Sequence, residues 1–451
     1  MIEKLKKKLG DDKNLNELLT GSAVTFVIKI FGMGIGYIVV LVISRMFGSE
    51  GVGIYSMTLN LLMLLAILGS MGMNVAVLRY VGQYAKSNNG LNTIKIIYKY
   101  IIGFSIPFSI IIALLLFLFS HEISVNIFGN KSYIPAMKMG AIVLPFLSLN
   151  LIGIEFIRGL KKLRISEFLR SISRQLVVLI LIALPLFNYD KLNGVIALVI
   201  GIFCTFLMTE SYILKYLRVD KSDDEDMKII VTRYDLFKTS IPMMITTISY
   251  YFLANSGGLF IESLSSTSEV GIFNVCLQLS MLISLILNVV NTVSAPKFAE
   301  LFWKGEKVEL QKVIDNSNKI IFVVSIITSI LMIVFCKFIL SLYGKEFING
   351  ALSLIILIAG QLINAWAGST GTFLNMCGYQ VQLRNITVIS SVVTATLFFI
   401  LIPALGGVLG ASIAIFFGQT LYNLSSTFYI LNKSGLRTFF NPIGLLKKIY
   451  S

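Results

Sequence analysis

Charge is scarce in this sequence. Only 14% of its 451 residues are charged and 56% are hydrophobic. A soluble domain carries about 25% charged residues, so a water-facing globule is excluded. Histidine is nearly absent: His121 stands alone beside Glu122. One imidazole without a nucleophile or further ligands makes neither a triad nor a zinc site. The cysteines Cys204, Cys276, Cys336 and Cys377 show no paired spacing and read as small buried hydrophobes. There is no phosphate-binding glycine loop ending in Lys-Ser or Lys-Thr, so ATP hydrolysis is not expected. Neither an enzyme nor a cofactor is implied. The first apolar block is too long for a signal-peptide core, so no cleavage is expected.

What the chain does have is apolar blocks of roughly 18–24 residues, the length that crosses about 30 Å of hydrocarbon at 1.5 Å per residue. They lack the dyad alternation of a membrane barrel, and an open sheet would leave its edge unpaired in lipid. The fold class is therefore all-α integral membrane protein, with twelve expected spans at 20–43, 52–73, 96–119, 135–157, 172–188, 193–214, 239–261, 271–293, 320–341, 351–374, 386–403 and 408–430. The net charge is +15, but the basic residues sit between apolar blocks, which points to membrane topology and not to nucleic acid. Of the 38 Lys+Arg, 31 fall on the face shared by the termini and 6 on the other. By the positive-inside rule both termini are expected in the cytoplasm, in a multi-pass protein of the plasma membrane.

The expected organisation is a tail (1–19), a six-helix half (20–214), a linker loop (215–238), a second six-helix half (239–430) and a tail (431–451). The linker carries the acidic run Asp223-Asp224-Glu225-Asp226 and reads as solvated surface. A shift of 218 residues lays the halves on each other. Gly53 then falls on Gly271, Tyr55 on Phe273, Arg79-Tyr80 on Lys297-Phe298, and Tyr84 on Phe302. Six spans per half keep the same orientation, giving a pseudo-two-fold axis along the membrane normal, two bundles and a central cavity between them.

Lys29 lies about 13 Å into the first span, where a lipid-facing lysine would cost about 2.5–3.5 kcal/mol. It shares one helical face with Ser22, Thr25, Gly32 and Gly36. Two readings stand: a polar cavity wall, or a G-x-x-x-G packing stripe with a snorkelling lysine. The repeat sets Thr247 opposite Lys29, in a span that adds Tyr250 and Asn255. Further mid-membrane polar groups include Asn150, Gln278, Gln361 and Asn364, too many for a dry bundle. Glu155 and Arg158 are either an i,i+3 ion pair or part of an inner cavity mouth with Arg79, Arg174 and Arg384. Arginine suits phosphate because its fork donates two parallel hydrogen bonds.

The pattern Arg45-x-x-Gly48-x-x-x-x-Gly53-x-Tyr55, the segment Gly72-x6-Arg79-Tyr80, and Gly21-Ser22 at the start of the first span resemble the Wzx-type flippases. These belong to the multidrug/oligosaccharidyl-lipid/polysaccharide (MOP) exporter superfamily. The likeness spans the chain, while the motifs lie mostly in its first 90 residues. The MurJ branch typically has two extra spans, absent here. The resemblance implies alternating-access transport of a polyprenyl-(pyro)phosphate-linked glycan from the inner to the outer leaflet, for surface polysaccharide assembly. Its implied partners are that substrate, the lipid bilayer, a coupling ion (proton or sodium) and glycan assembly proteins. The substrate-binding candidates are Lys29, Ser22, Thr25, Arg79, Asn150, Glu155, Arg158, Thr247, Tyr250, Asn255, Gln278, Gln361 and Asn364. A cation-coupled drug antiporter of the MATE type is the alternative, although it would want mid-membrane carboxylates in one lobe. A membrane glycan polymerase or ligase would want a larger outer loop.

Overall fold

A computed structural model describes residues 13–84, 90–184, 191–218 and 233–440. The acidic run of the linker lies outside the described residues, as do most of both tails.

Eight helices among the described residues are long and apolar enough to cross a membrane, and one bent pair makes a ninth. The first, Lys13–Gly69, breaks helical geometry at Gly48 (φ 67°, ψ −170°). Its 46-residue apolar part would be about 69 Å long if straight, more than two hydrocarbon thicknesses. It therefore holds span 1 (13–47) and span 2 (49–69). A tight turn through Met71 and Gly72, both at positive φ, carries span 2 into Met73–Tyr84. Spans 3, 4 and 6 are Gly90–Leu118, Tyr133–Gly159 and Asn193–Arg218. Span 5 is interrupted by a π turn: Leu163–Phe168, Leu169–Ser173, Arg174–Ala183.

In the second half, span 7 is broken between Arg233–Asn255 and Gly257–Leu264. Span 8 is Thr267–Ser280 followed by Leu285–Trp303, with a 47° bend at the break. Spans 9 to 12 are Lys307–Val334, Ala351–Ala367, Gln380–Leu405 and Gly407–Ser434. This is the expected twelve. The boundaries differ most at span 9, which begins at Lys307 and not at 320, and at span 5, which begins at Leu163 and not at 172. Span 9 ends at Val334, followed by a separate helix, Cys336–Tyr343; span 10 ends at Ala367, stopped by Gly368 at a φ of +74°.

We call the face bearing the start of span 1 the near face, and the opposite one the far face. At the far end one apolar core runs unbroken through both halves, from Val39 and Tyr55 to Phe273, Leu354 and Ile415. Toward the near face the packing splits into one cluster on spans 2 to 6 that also takes in Leu236 of span 7, and another on spans 8 to 12. Spans 2 and 8 meet at the far end through glycines. A Cβ on Gly53 would overlap the Thr267 carbonyl oxygen, and one on Gly271 would overlap that of Ser49. Hydrogen bonds between the halves close the same end. Arg45 Nε donates to the Leu342 carbonyl (2.6 Å), the Ser49 amide donates to Glu346, and Ser49 and Ser268 share a hydroxyl bond of 2.6 Å. The buried Glu262 carboxylate accepts from the Tyr133 hydroxyl (2.8 Å) across the halves and from Thr267 (2.7 Å). The two bundles are thus joined at the far face and parted toward the near one except where the start of span 7 packs on the turn after span 2, Gly72 lying against the Ser240 carbonyl, and a central cavity lies between them.

Past span 12 the chain folds back over the second half. The Asn318 amide donates to the Thr438 carbonyl, the Phe440 amide donates to the Trp366 carbonyl (2.9 Å), and Phe439 stacks on Trp366. The expected tail from residue 431 is, as far as residue 440, part of the packed bundle.

Candidate functional site

Two adjoining hollows open between the halves on the near side. The larger, about 400 Å³, has walls from span 1 (Thr25, Lys29), span 4 (Arg158), span 5 (Ser166, Glu167, Arg170) and span 8 (Asn288). The deeper one, about 230 Å³, shares Lys29, Arg170 and Ser171 with it and adds Gly36, Tyr37, Gln175 and Gln278. Both halves therefore contribute to one cavity.

The span 1 stripe serves both of its readings at different positions. A Cβ on Gly32 would lie 2.6 Å from the Ser171 Cβ, so Gly32 is there for close packing against the π turn of span 5. Thr25, Lys29 and Gly36 line the hollows, and Gly32 itself borders the deeper one. Close approach at Gly32 brings Lys29 and Arg170 onto the same cavity wall.

Three cations face two carboxylates here. Glu155 pairs with Arg170 at 2.6 Å and with Arg158 at 3.5 Å. Both arginines remain 39–47% exposed while Glu155 is 14% exposed, so the carboxylate sits behind the two guanidiniums. Glu167 accepts a hydrogen bond from the Ser171 hydroxyl at 2.7 Å. Lys29 has no ion-pair partner among the described residues. An ammonium in that state gives the hollow a positively charged wall. At the inner end of the cavity the Tyr37 hydroxyl donates to the Gln278 carbonyl at 2.8 Å, tying span 1 to span 8 where the hollow stops.

Of the candidates named from sequence, Thr25, Lys29, Arg158 and Gln278 line these hollows, with Glu155 behind Arg158. The rest lie elsewhere. Asn150 accepts from Thr209 (2.7 Å), Thr247 donates to the Met243 carbonyl, Asn255 to the Tyr251 carbonyl, and Gln361 accepts from Ser284 (2.7 Å). These bonds join or brace helices, as amides in membrane bundles commonly do. Asn364 is half-buried on span 10, and its carbonyl caps the helix end at Gly368. Tyr250 is 60% exposed. Arg79 is exposed, its guanidinium 5.9 Å from the Tyr80 ring. The side chain of Ser22 lies outside what is described. Arg170 escapes the sequence reading, because the apolar block that marks span 5 starts after it.

Comparison with known proteins agrees with this architecture. Residues 18–302 match the family described as polysaccharide biosynthesis protein, and residues 242–401 match the MatE family. Among curated proteins, none matches the chain by sequence. Among solved structures the chain is similar to the lipid II flippase MurJ in an inward closed conformation (TM-score 0.73, 14% identity, 90% of this chain and 87% of that one). It is also similar to the MATE multidrug transporter DinF-BH (TM-score 0.67, 15% identity, 94% and 97%). A third is an inward-facing MATE family transporter of the MOP superfamily (TM-score 0.65, 14% identity, 87% and 97%). At such identities the likeness speaks for the shared fold alone.

Proposed function

The chain belongs to the polysaccharide biosynthesis protein family, and from that premise we propose that it is a flippase for a polyprenyl-(pyro)phosphate-linked oligosaccharide. The observation that carries this reading is the cation set Lys29, Arg158 and Arg170 in a cavity enclosed by both halves and open on the near side. A phosphodiester linkage brings one negative charge and a pyrophosphate linkage two, and such a set can hold either. Lys29 attracts it as a point charge, and the arginine forks supply directed hydrogen bonds. The prenyl chain stays in the bilayer while the sugars enter the wet hollow. On this reading the near face is cytoplasmic, in keeping with the 31-to-6 split of basic residues. The cargo is taken from the inner leaflet in the conformation described, and parting of the far-end contacts releases it to the outer one. A proton or sodium gradient, or the membrane potential, drives the return.

Replacement of Lys29 by Gln tests the proposal. In cells lacking the wild-type chain, the variant is expected to reach the membrane at normal levels yet lose surface glycan assembly. Normal export would refute the phosphate role. A MATE-type drug antiporter is the second reading, favoured by the match over residues 242–401. A cavity with a surplus of cations repels the organic cations such a transporter would carry. Unchanged drug susceptibility after deletion of the gene, together with loss of surface glycan, is expected.

A further inference from the structure

Arg174 has none of the support that a membrane-embedded cation usually has. It sits on span 5 just past the π turn, its Nε is buried without a hydrogen-bond partner, and no carboxylate pairs with it among the described residues. Its aliphatic stem packs on Gly201 of span 6, and Tyr55 on span 2 and Tyr251 on span 7 lie within range of its charge, the latter in the other half. The register fixes its depth. Gln175 lies against Gly36, seven residues and therefore about 10 Å beyond Lys29 along span 1. Tyr55 lies seven residues past the break at Gly48, again about 10 Å from the far end. Arg174 thus stands level with the innermost part of the cavity, beyond Lys29, Arg158 and Arg170 and short of the far-end seal. Next to it the Tyr251 hydroxyl donates to the Asn60 side chain (3.3 Å), and Asn60 in turn donates to Asn274 on span 8 (3.3 Å).

An unpaired charge at such a position destabilises the fold, and nothing in the packing repays it. We propose that Arg174 is a second phosphate station, which receives the anionic head group from Lys29, Arg158 and Arg170 when the far end opens. The proposal rests on the flippase reading. Each station then needs only a share of the charge: the first captures, the second draws the head group outward past mid-membrane. Tyr55, Tyr251 and Asn60 offer hydroxyl and amide groups around that second position.

The test is Arg174→Met, with Arg174→Lys as its charge-preserving control. Three quantities are measured on the full-length protein: affinity for a short-chain prenyl diphosphate and for inorganic phosphate, translocation of a prenyl-diphosphate-linked saccharide in proteoliposomes, and thermal unfolding. In Arg174→Met, affinity is expected to stay within about twofold of the parent. Translocation should fall about tenfold or more, and the unfolding temperature should rise because an unpaired charge has gone. Arg174→Lys should recover much of the translocation. Parent-rate translocation by Arg174→Met overturns the proposal. So does a tenfold loss of affinity, which would place Arg174 in the first station. A variant that unfolds at lower temperature, or does not fold, makes Arg174 a structural cation and overturns it as well. Failure of the parent itself to bind prenyl diphosphate would instead bring down the flippase reading on which it rests. Binding of inorganic phosphate without the prenyl compound would identify a soluble phosphate as the cargo.

Discussion

Gly53 and Gly271 occupy each other's position in the 218-residue repeat and perform the same task from the two sides of one contact, a Cβ on Gly271 lying 3.1 Å from the Gly53 nitrogen. Each lies against the main chain of the other half, Gly53 on the Thr267 carbonyl and Gly271 on that of Ser49. Thr267 and Ser49 are themselves separated by that same repeat interval. The far-end contact is therefore self-complementary about a two-fold axis, in the manner of an isologous dimer interface.

Gly271→Ala places a methyl group against a carbonyl oxygen that cannot rotate away. Overpacking of this kind costs about 1–3 kcal/mol, here charged to the closed far end alone. A cysteine at position 268 is expected to react several-fold faster with a membrane-impermeant maleimide in the Gly271→Ala background. The native cysteines are buried or half-buried, so the added thiol dominates the signal. An unchanged labelling rate would show that the far end does not open at this contact.

Glu155→Gln removes the carboxylate that holds Arg158 and Arg170. Because both arginines are partly exposed, the pairs are worth only about 0.2–1 kcal/mol each, and the unfolding temperature should move little. Affinity for a prenyl phosphate should instead tighten about threefold to tenfold, since a competing anion has gone, with a steeper salt dependence. Titration at two ionic strengths measures both; weaker binding would mean that Glu155 is needed to aim the guanidiniums.

Tyr133→Phe deletes a hydroxyl that donates to Glu262, a carboxylate 3% exposed. Leaving a buried acceptor under-satisfied costs about 1–3 kcal/mol, so the variant should unfold at lower temperature. Adding Glu262→Gln should return part of that loss, because the neutral amide asks for fewer donors. Strictly additive losses in the double-mutant cycle would show that the two groups do not act on each other.

Asn318→Ala cuts the tie from span 9 to the Thr438 carbonyl. Residues 435–440 should then be cleaved faster by a protease added to inside-out vesicles, while translocation stays within about twofold because the cavity is untouched. Equal cleavage of parent and variant would mean that the stacking of Phe439 on Trp366 alone holds the segment.

Hydrophobic length makes all twelve crossings legible, because lipid forces each of them to advertise itself. The repeat also yields the Gly53–Gly271 correspondence, and Lys29 stands out as a charge within an apolar block. Arg170 and Arg174 read as loop or cavity-mouth residues for the opposite reason. The first turns of span 5 carry Arg164, Glu167 and Arg170, and a helix that lines a wet cavity need not be apolar. What holds it is the packing of Ser171 against Gly32, a contact between segments far apart in the chain that no local window contains. Glu262 escapes for a related reason: its donors Tyr133 and Thr267 are distant or turned inward, so its burial is a property of the assembled halves. Conversely Gln361 and Asn150 look like cavity groups because an amide in an apolar block is visible, whereas its partner across the helix interface is not.

The far-end seal turns on two close approaches of main chain, with Gly53 and Gly271 kept free of side chains, and on side chains that lie outside the cavity. Its geometry thus owes almost nothing to the residues that face the cargo. A lineage can exchange cavity side chains to suit a new sugar and keep the same hinge, provided that Gly53 and Gly271 remain bare. Change of specificity and retention of the transport cycle are in this way separable inheritances of one chain.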